Sequence, residues 1–258
     1  MKAGRSFGPL RSLARDTTSG VRGFVDLHCH WVAAIDDGAR TPEDGITMLR
    51  RLHEAGFDQV VATPHMRPGM FDNDRTTIER AFSAMKPALA TVVGLPVVHL
   101  ASEHFFDDIV FGRLLKGEAL PYPGRAVLVE FGQSFPARVQ HRFFDLQRAG
   151  LRPVLAHPER YEPVWRDDAC LDPLLDAGAH LLLDVCALVG KYGRAPQRAA
   201  EKLLDEDAYE AACSDAHRPD DVEIVERAIE RLEALVGGDE SRRLLSDGPR
   251  GILDGTTK

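Results

Sequence analysis

The chain has 258 residues, 44% hydrophobic and 28% charged, a composition that fits a globular domain with its own core. Its formal charge of -8 speaks against a general nucleic-acid binder, which carries a basic stripe. No apolar run approaches the roughly 20 residues of a spanning helix, so a membrane-spanning protein is not expected.

In chain order, residues 1–22 read as a basic, mobile N-terminal extension. Lys2, Arg5, Arg11 and Arg15 are not followed by the apolar stretch of a signal peptide. Residues 23–258 read as one domain. Phe24–Leu27 is a strand candidate. Thr41-Pro42-Glu43-Asp44 carries an N-cap, a proline and an acidic first turn, and the helix it opens runs to Gly56. Strands follow at Gln59–Ala62, Val97–Ala101, Ala126–Val129, Arg152–Ala156, His180–Val185 and Tyr209–Cys213. Helices alternate with them at Arg75–Leu89, Asp107–Leu115, Pro136–Ala149, Asp168–Ala177, Pro196–Leu204 and Asp220–Leu235. Seven strand–helix units predict a parallel sheet closed into a barrel-like arrangement.

The polar residues cluster where these strands end. The first strand runs into Asp26-Leu27-His28-Cys29-His30, with Asp36-Asp37-Gly38 shortly after. The second runs into Thr63-Pro64-His65, the third into Ser102-Glu103-His104, the fourth into Glu130. The fifth runs into His157-Pro158-Glu159-Arg160, the seventh into Ser214-Asp215-Ala216-His217. In β/α barrels this C-terminal face carries the active site. Strand alternation puts His28 and His30 on one side and Cys29 on the other. Isolated histidines (His53, His99, His104, His141, His180) read as structural. The recurrent pairs do not, because burying so many ionisable groups without cations would be very costly. Imidazole and carboxylate without thiolate suit manganese, iron or zinc, and the carboxylate share favours manganese or iron. Cys29, Cys170, Cys186 and Cys213 form no CxxC pair and read as reduced thiols of a cytoplasmic protein.

The order DxHxH, DDG, TPH, Glu, Glu, HPERY and SDAH resembles the PHP (polymerase and histidinol phosphatase) superfamily. Asp36-Asp37-Gly38, Ala62-Thr63-Pro64-His65, Gly69-Met70-Phe71 and His157-Pro158-Glu159-Arg160-Tyr161 are similar to its CpsB/CapC-type manganese-dependent protein-tyrosine phosphatases of capsular and exopolysaccharide clusters. The resemblance implies a distorted seven-stranded (β/α)7 barrel holding three divalent ions, manganese first, with iron or zinc as alternatives. It implies His28, His30, Glu103 and Asp215 on one ion. Glu103, Glu130 and His157 would hold a second, and Asp37, His65 and His217 a third. Three such ions bring +6 against -4 from Asp37, Glu103, Glu130 and Asp215, and the balance suits a phosphate dianion. Arg160 matches the motif arginine that binds phosphate; Arg67 and Arg218 are further candidates. The family often carries a basic residue at the position occupied here by Val222. The implied substrate is a phosphotyrosine protein, the tail of an autophosphorylated bacterial tyrosine kinase.

A thiol-based phosphatase would place arginine six residues after its cysteine. Here those positions hold Ile35, Asp176, Tyr192 and Pro219, which excludes that class. The alternative is a PHP phosphoesterase acting on a small metabolite such as histidinol phosphate. A third reading is a metal-stabilised binding protein without turnover, against which the full ligand set and Arg160 argue.

Overall fold

A computed structural model describes residues 23–132 and 134–257. The extension expected over 1–22 lies outside the described residues. Strand β1 (Phe24–Cys29) is followed by helix α1 (Pro42–Glu54), then β2 (Phe57–Ala62) and its short continuation β3 (His65–Met66). Helix α2 (Arg75–Leu89), β4 (Val97–Leu100), its continuation β5 (Glu103–Phe105), and α3 (Asp108–Lys116) come next. Then follow β6 (Ala126–Glu130), α4 (Val139–Arg148), β7 (Arg152–Ala156), α5 (Glu162–Arg166) and α6 (Asp172–Asp176). The chain continues with β8 (His180–Asp184), α7 (Arg194–Asp205), β9 (Ala211–Cys213) and α8 (Asp221–Val236). Helices α9 (Gly238–Arg242) and α10 (Gly248–Asp254), joined by a π-helical turn, close the described chain.

All named strand pairs are parallel, in the orders β1-β2-β4 and β3-β5-β6-β7-β8-β9. Because β3 and β5 prolong β2 and β4 after short breaks, these strands fill seven positions round a ring. The ring closes between β1 and the segment after β9. There Cys29 bridges Ala216, His30 N–H donates to Ala216 O at 2.9 Å, and Asp215 N–H donates to His28 O at 3.0 Å. This is the distorted barrel expected, and the distortion falls at the breaks that carry the polar motifs.

Local chemistry sets the helix starts. Thr41 caps α1 by accepting the Asp44 N–H at 3.2 Å, and Asp74 and Asp107 cap α2 and α3 at 2.7 Å each. The apolar side chains fall into two layers. Val25, Leu27, Val61, Leu128, Val154 and Leu182 fill the barrel interior, with Ile252 and Leu253 of α10 among them. The outer layer packs the helices on the sheet through residues such as Leu49, Phe57, Phe143, Leu183 and Ile229. Gly124 shows how tightly the terminal helix seals the barrel floor: a Cβ there would lie 2.4 Å from Leu253 O. Among the described residues, no helix is long and apolar enough to cross a membrane.

Candidate metal centre

The floor of the barrel is sealed by apolar side chains; its opposite mouth is lined by imidazoles and carboxylates. Pairing of β1 with β2 slips between Asp26 and Cys29. Over that slip Leu27 belongs to the inner core and His28, next along, to the polar mouth. Asp26 fastens the segment from below: its carboxylate accepts from the Ser214 hydroxyl at 2.5 Å and the Ser214 N–H at 3.0 Å. Burial still pushes its carboxyl up to about 6, although the Ser214 hydrogen bonds oppose the shift.

Glu103 is the hub. Its Oε2 lies 3.3 Å from His28 Nε2, 3.5 Å from His30 Nε2 and 2.9 Å from His65 Nδ1, and its Oε1 lies 3.2 Å from His157 Nε2. Asp215 Oδ1 lies 3.3 Å from His28 Nε2 and 3.6 Å from His30 Nε2. Glu130 Oε1 lies 3.5 Å from His65 Nδ1. On the outer rim, Asp37 Oδ1 lies 3.4 Å from His65 Nε2 and 3.6 Å from His217 Nε2, and the His30 and His217 rings stack with centroids 4.0 Å apart.

Three donor groups emerge: His28, His30 and Glu103; His65, Glu103 and Glu130; and His30, Asp37, His65 and His217. These clusters can hold divalent metal ions. The grouping shares His30 and His65 between clusters, where the sequence motifs had partitioned each residue to one ion apart from the bridging Glu103. His157 and Asp215 adjoin the same space through Glu103 and His28.

The donor atoms fit a metal. His28 Nε2 and His30 Nε2 stand 3.1 Å apart and both are turned into the same space as Glu103. Glu130 Oε1 and Asp215 Oδ1 are buried and accept no hydrogen bond among the described residues, although histidine nitrogens stand within 3.5 and 3.3 Å of them. Close approach without hydrogen-bond geometry is what ligands converging on a shared centre show.

The electrostatics point the same way. Burial pulls His28 down, but Glu103 and Asp215 overrule it and push the imidazole up to about 9. Burial likewise opposes His65, and Glu103, Asp37 and Glu130 push it up to about 11. His30 falls to about 4 through burial and the neighbouring His217; His157 falls to about 4 through burial and Arg160. Glu130 rises to about 8 through burial and its neighbour Glu103. Protons stand in for cations wherever two acids would otherwise meet.

Several residues of the same motifs support the donors rather than join them. Asp36 Oδ2 sits 2.8 Å from His30 Nδ1 and accepts the His65 N–H at 3.1 Å, so it orients two ligand candidates. Gly38 makes this loop possible: a Cβ there would lie 2.1 Å from His30 O. Glu159 is fully buried. It accepts the Asp184 N–H and the Tyr209 hydroxyl, each at 3.0 Å, and pins the turn that presents His157 and Arg160. His157 and Asp215 both adopt the left-handed region, with φ of 38° and 44°. Asp and His enter that region more readily than other non-glycine residues, at a modest cost that the surrounding contacts offset.

The arginine candidates are placed differently. Arg160 Nη1 donates to Asp215 Oδ2 at 2.6 Å. Arg67 Nη1 stands 3.6 Å from Glu130 Oε1, with Cζ 4.3 Å from the Phe105 ring centroid. Arg218 is exposed on the loop after His217; among the described residues its guanidinium makes no ion pair. Val222, where the resemblance led to the expectation of a basic residue, is buried in the first turn of α8. His104 is the structural histidine expected, with Nδ1 2.8 Å from Leu128 O and Nε2 accepting the Leu120 N–H at 3.3 Å.

A parallel β/α barrel with multinuclear donor clusters at the C-terminal mouth defines a metal-dependent enzyme of PHP type. The family described as capsular polysaccharide synthesis, CpsB/CapC, matches residues 24–254, and the chain belongs to it. It is 28% identical over 201 residues to the tyrosine-protein phosphatase YwqE of Bacillus subtilis, covering 75% of this chain and 77% of the relative. It is 24% identical over 238 residues to the tyrosine-protein phosphatase CpsB of Streptococcus pneumoniae, covering 89% and 98%. Among solved structures it is similar to one from the pair YwqE of Bacillus subtilis and CpsB of Streptococcus pneumoniae, described as metal-dependent tyrosine phosphatases. That match has a TM-score of 0.82 at 27% identity, covering 90% of this chain and 95% of that one.

Proposed function

We propose that this chain is a metal-dependent protein-tyrosine phosphatase of the capsular and exopolysaccharide type. The observation that supports it most is the convergence of the histidine and carboxylate donors and Arg160 at one barrel mouth. That convergence occurs in a chain similar over 90% of its length to metal-dependent tyrosine phosphatases. Three ions, manganese first, are held by His28, His30, Asp37, His65, Glu103, Glu130, His157, Asp215 and His217. Divalent ions at such a site supply Lewis acidity towards phosphoryl oxygens and make a water more acidic.

The chain's own residues do the rest. Arg160 binds the phosphoryl group through guanidinium nitrogens that Asp215 leaves free, and Arg67 approaches from the Glu130 side. Arg218 is the third cation of the rim. Phe71, stacked on His65 with centroids 5.2 Å apart, and exposed Met70 offer an apolar wall to a tyrosine ring. The leaving phenol has a pKa near roughly 10, so a strong general acid is dispensable. The substrate is a phosphotyrosine protein, the tail of an autophosphorylated tyrosine kinase in the cytoplasm, and residues 23–258 act on it as a single domain.

The experiment is phosphate release from a phosphotyrosine peptide and from histidinol phosphate, with metal-stripped protein, manganese restored, and a His65→Ala variant. Manganese-dependent release from the peptide, abolished in the variant, supports the reading. Turnover of histidinol phosphate alone moves the protein to the metabolite phosphoesterases.

A further inference from the structure

Arg160 is held by three elements, and one of them has no part in metal binding. Its backbone sits on the turn that Glu159 pins to β8 and to Tyr209. Its Nη1 donates to Asp215 at 2.6 Å and lies 3.7 Å from Asp184 Oδ2. Its Cζ lies over the ring of Tyr192, 4.5 Å from the centroid. Tyr192 arrives from the loop between β8 and α7. Neighbouring Lys191 ties the same loop to Asp221 at 3.0 Å, and Asp221 accepts the N–H groups of His217 and Arg218 at 3.0 Å each.

Both carboxylates take the same guanidinium nitrogen. Two contacts on one nitrogen leave the planar group free to swing about that point. A ring face against the guanidinium removes the freedom, because the cation is attracted to the π face. Among the described residues, Nε and Nη2 make no hydrogen bond, and the side chain is 32% exposed. What remains is a two-nitrogen edge that matches two phosphate oxygens.

We infer that Tyr192 is a positioning residue, whose ring holds Arg160 with its free edge towards the phosphoryl group. The inference rests on the reading of Arg160 as the phosphate-binding cation. Tyr192 belongs to none of the donor groups and would act through the arginine.

The test uses the manganese-loaded full chain with Tyr192→Leu, Tyr192→Phe, Arg160→Ala and the Arg160→Ala/Tyr192→Leu double variant. Calorimetry measures binding of inorganic phosphate, and steady-state kinetics gives KM and kcat on a phosphotyrosine peptide. Tyr192→Leu raises the phosphate dissociation constant and KM together by about 3- to 30-fold, the range of a partly desolvated cation–π contact, with kcat much less affected. Tyr192→Phe, which keeps the ring, recovers most of that loss. In the Arg160→Ala background the leucine adds no further loss, because the group it positioned is gone.

Phosphate affinity of Tyr192→Leu equal to that of the parent overturns the inference, as does an undiminished loss in the Arg160→Ala background. A parent that binds no phosphate overturns it too. A parent that binds phosphate but leaves phosphotyrosine intact refutes the phosphatase reading instead, while the Tyr192–Arg160 coupling is still read from binding.

Discussion

Replacing Glu103 by glutamine tests the metal centre at its hub. The carboxylate stands within 3.5 Å of four imidazoles and belongs to two of the three donor groups. Glutamine keeps the size but presents one neutral oxygen and an amide that must donate, so both groups lose their shared anion. The third group, His30, Asp37, His65 and His217, does not include it. An ion at a hundred-fold excess over its dissociation constant stabilises the native state by about 2.7 kcal/mol, so the proposed three ions, each bound at that excess, would add about 8 kcal/mol. At about 2–4 °C per kcal/mol for a chain of this size, manganese raises the melting midpoint of the parent by roughly 15–30 °C. In Glu103→Gln the increment shrinks to that of a single ion, roughly 5–10 °C. Thermal melts with and without manganese, beside metal content by elemental analysis, read both quantities. A variant that retains the full increment and the full metal content would refute the hub assignment.

Metal binding expels protons. In the metal-free protein His28 and His65 are raised to about 9 and about 11, and Glu130 to about 8, so all three are largely protonated at pH 7. Ligation needs the unprotonated forms; calorimetry in buffers of different ionisation enthalpy should therefore find about two to three protons released, with apparent affinity rising from pH 6 to 9. Gly38→Ala forces a Cβ to within 2.1 Å of His30 O, so the Asp36–Asp37 loop must move. We expect a loss of about 1–3 kcal/mol in stability and weaker metal binding, both visible in the same melts. Glu159 is raised to about 8 by burial and by Asp184. An acid that keeps its proton longer in the folded state loses stability as pH climbs from the unfolded value through 8, because the native state then binds more protons. Metal-free Glu159→Gln cannot titrate there, so its denaturation midpoint should gain on that of the parent between pH 5 and 8; parallel profiles would contradict the assigned shift.

The alternation of short apolar runs with amphipathic stretches was enough to order the seven barrel positions. The helix at Arg75–Leu89 is legible to the residue, and the structure shows Asp74 capping it. The strand breaks were not legible. Val97–Ala101 reads as one strand, yet pairing resumes at Glu103–Phe105 after Ala101 and Ser102. Ser102 instead donates its N–H to Leu120 O at 3.0 Å and its hydroxyl to Pro64 O at 2.8 Å. Those are tertiary contacts across tens of residues, and no local period encodes them. The terminal helices were missed for a related reason. Ile252 and Leu253 are apolar because they plug the barrel floor, which a helical period over seven residues cannot announce.

For the site, position along the strands was a good guide and side-chain identity completed it. A ligand candidate must stand at a C-terminal strand end, and imidazoles or carboxylates stood at six of seven. What the sequence concealed is how they are held. Asp36 beside Asp37 reads as a second copy of the same chemistry, but it grips the His30 ring and the His65 backbone while Asp37 faces the rim. His157 and Asp215 stand on left-handed backbones, which their residue types enter more readily than most, but identity alone does not say which His or Asp of the chain will do so. It follows from the neighbours: His157 N–H reaches Leu182 O at 2.9 Å, Asp215 N–H reaches His28 O at 3.0 Å, and Glu159 ties the intervening turn to β8. The strained pair flanks Arg160, which donates to Asp215 at 2.6 Å. Of the six non-glycine residues held in the left-handed region among the described residues, these two join Arg160 to the donor clusters.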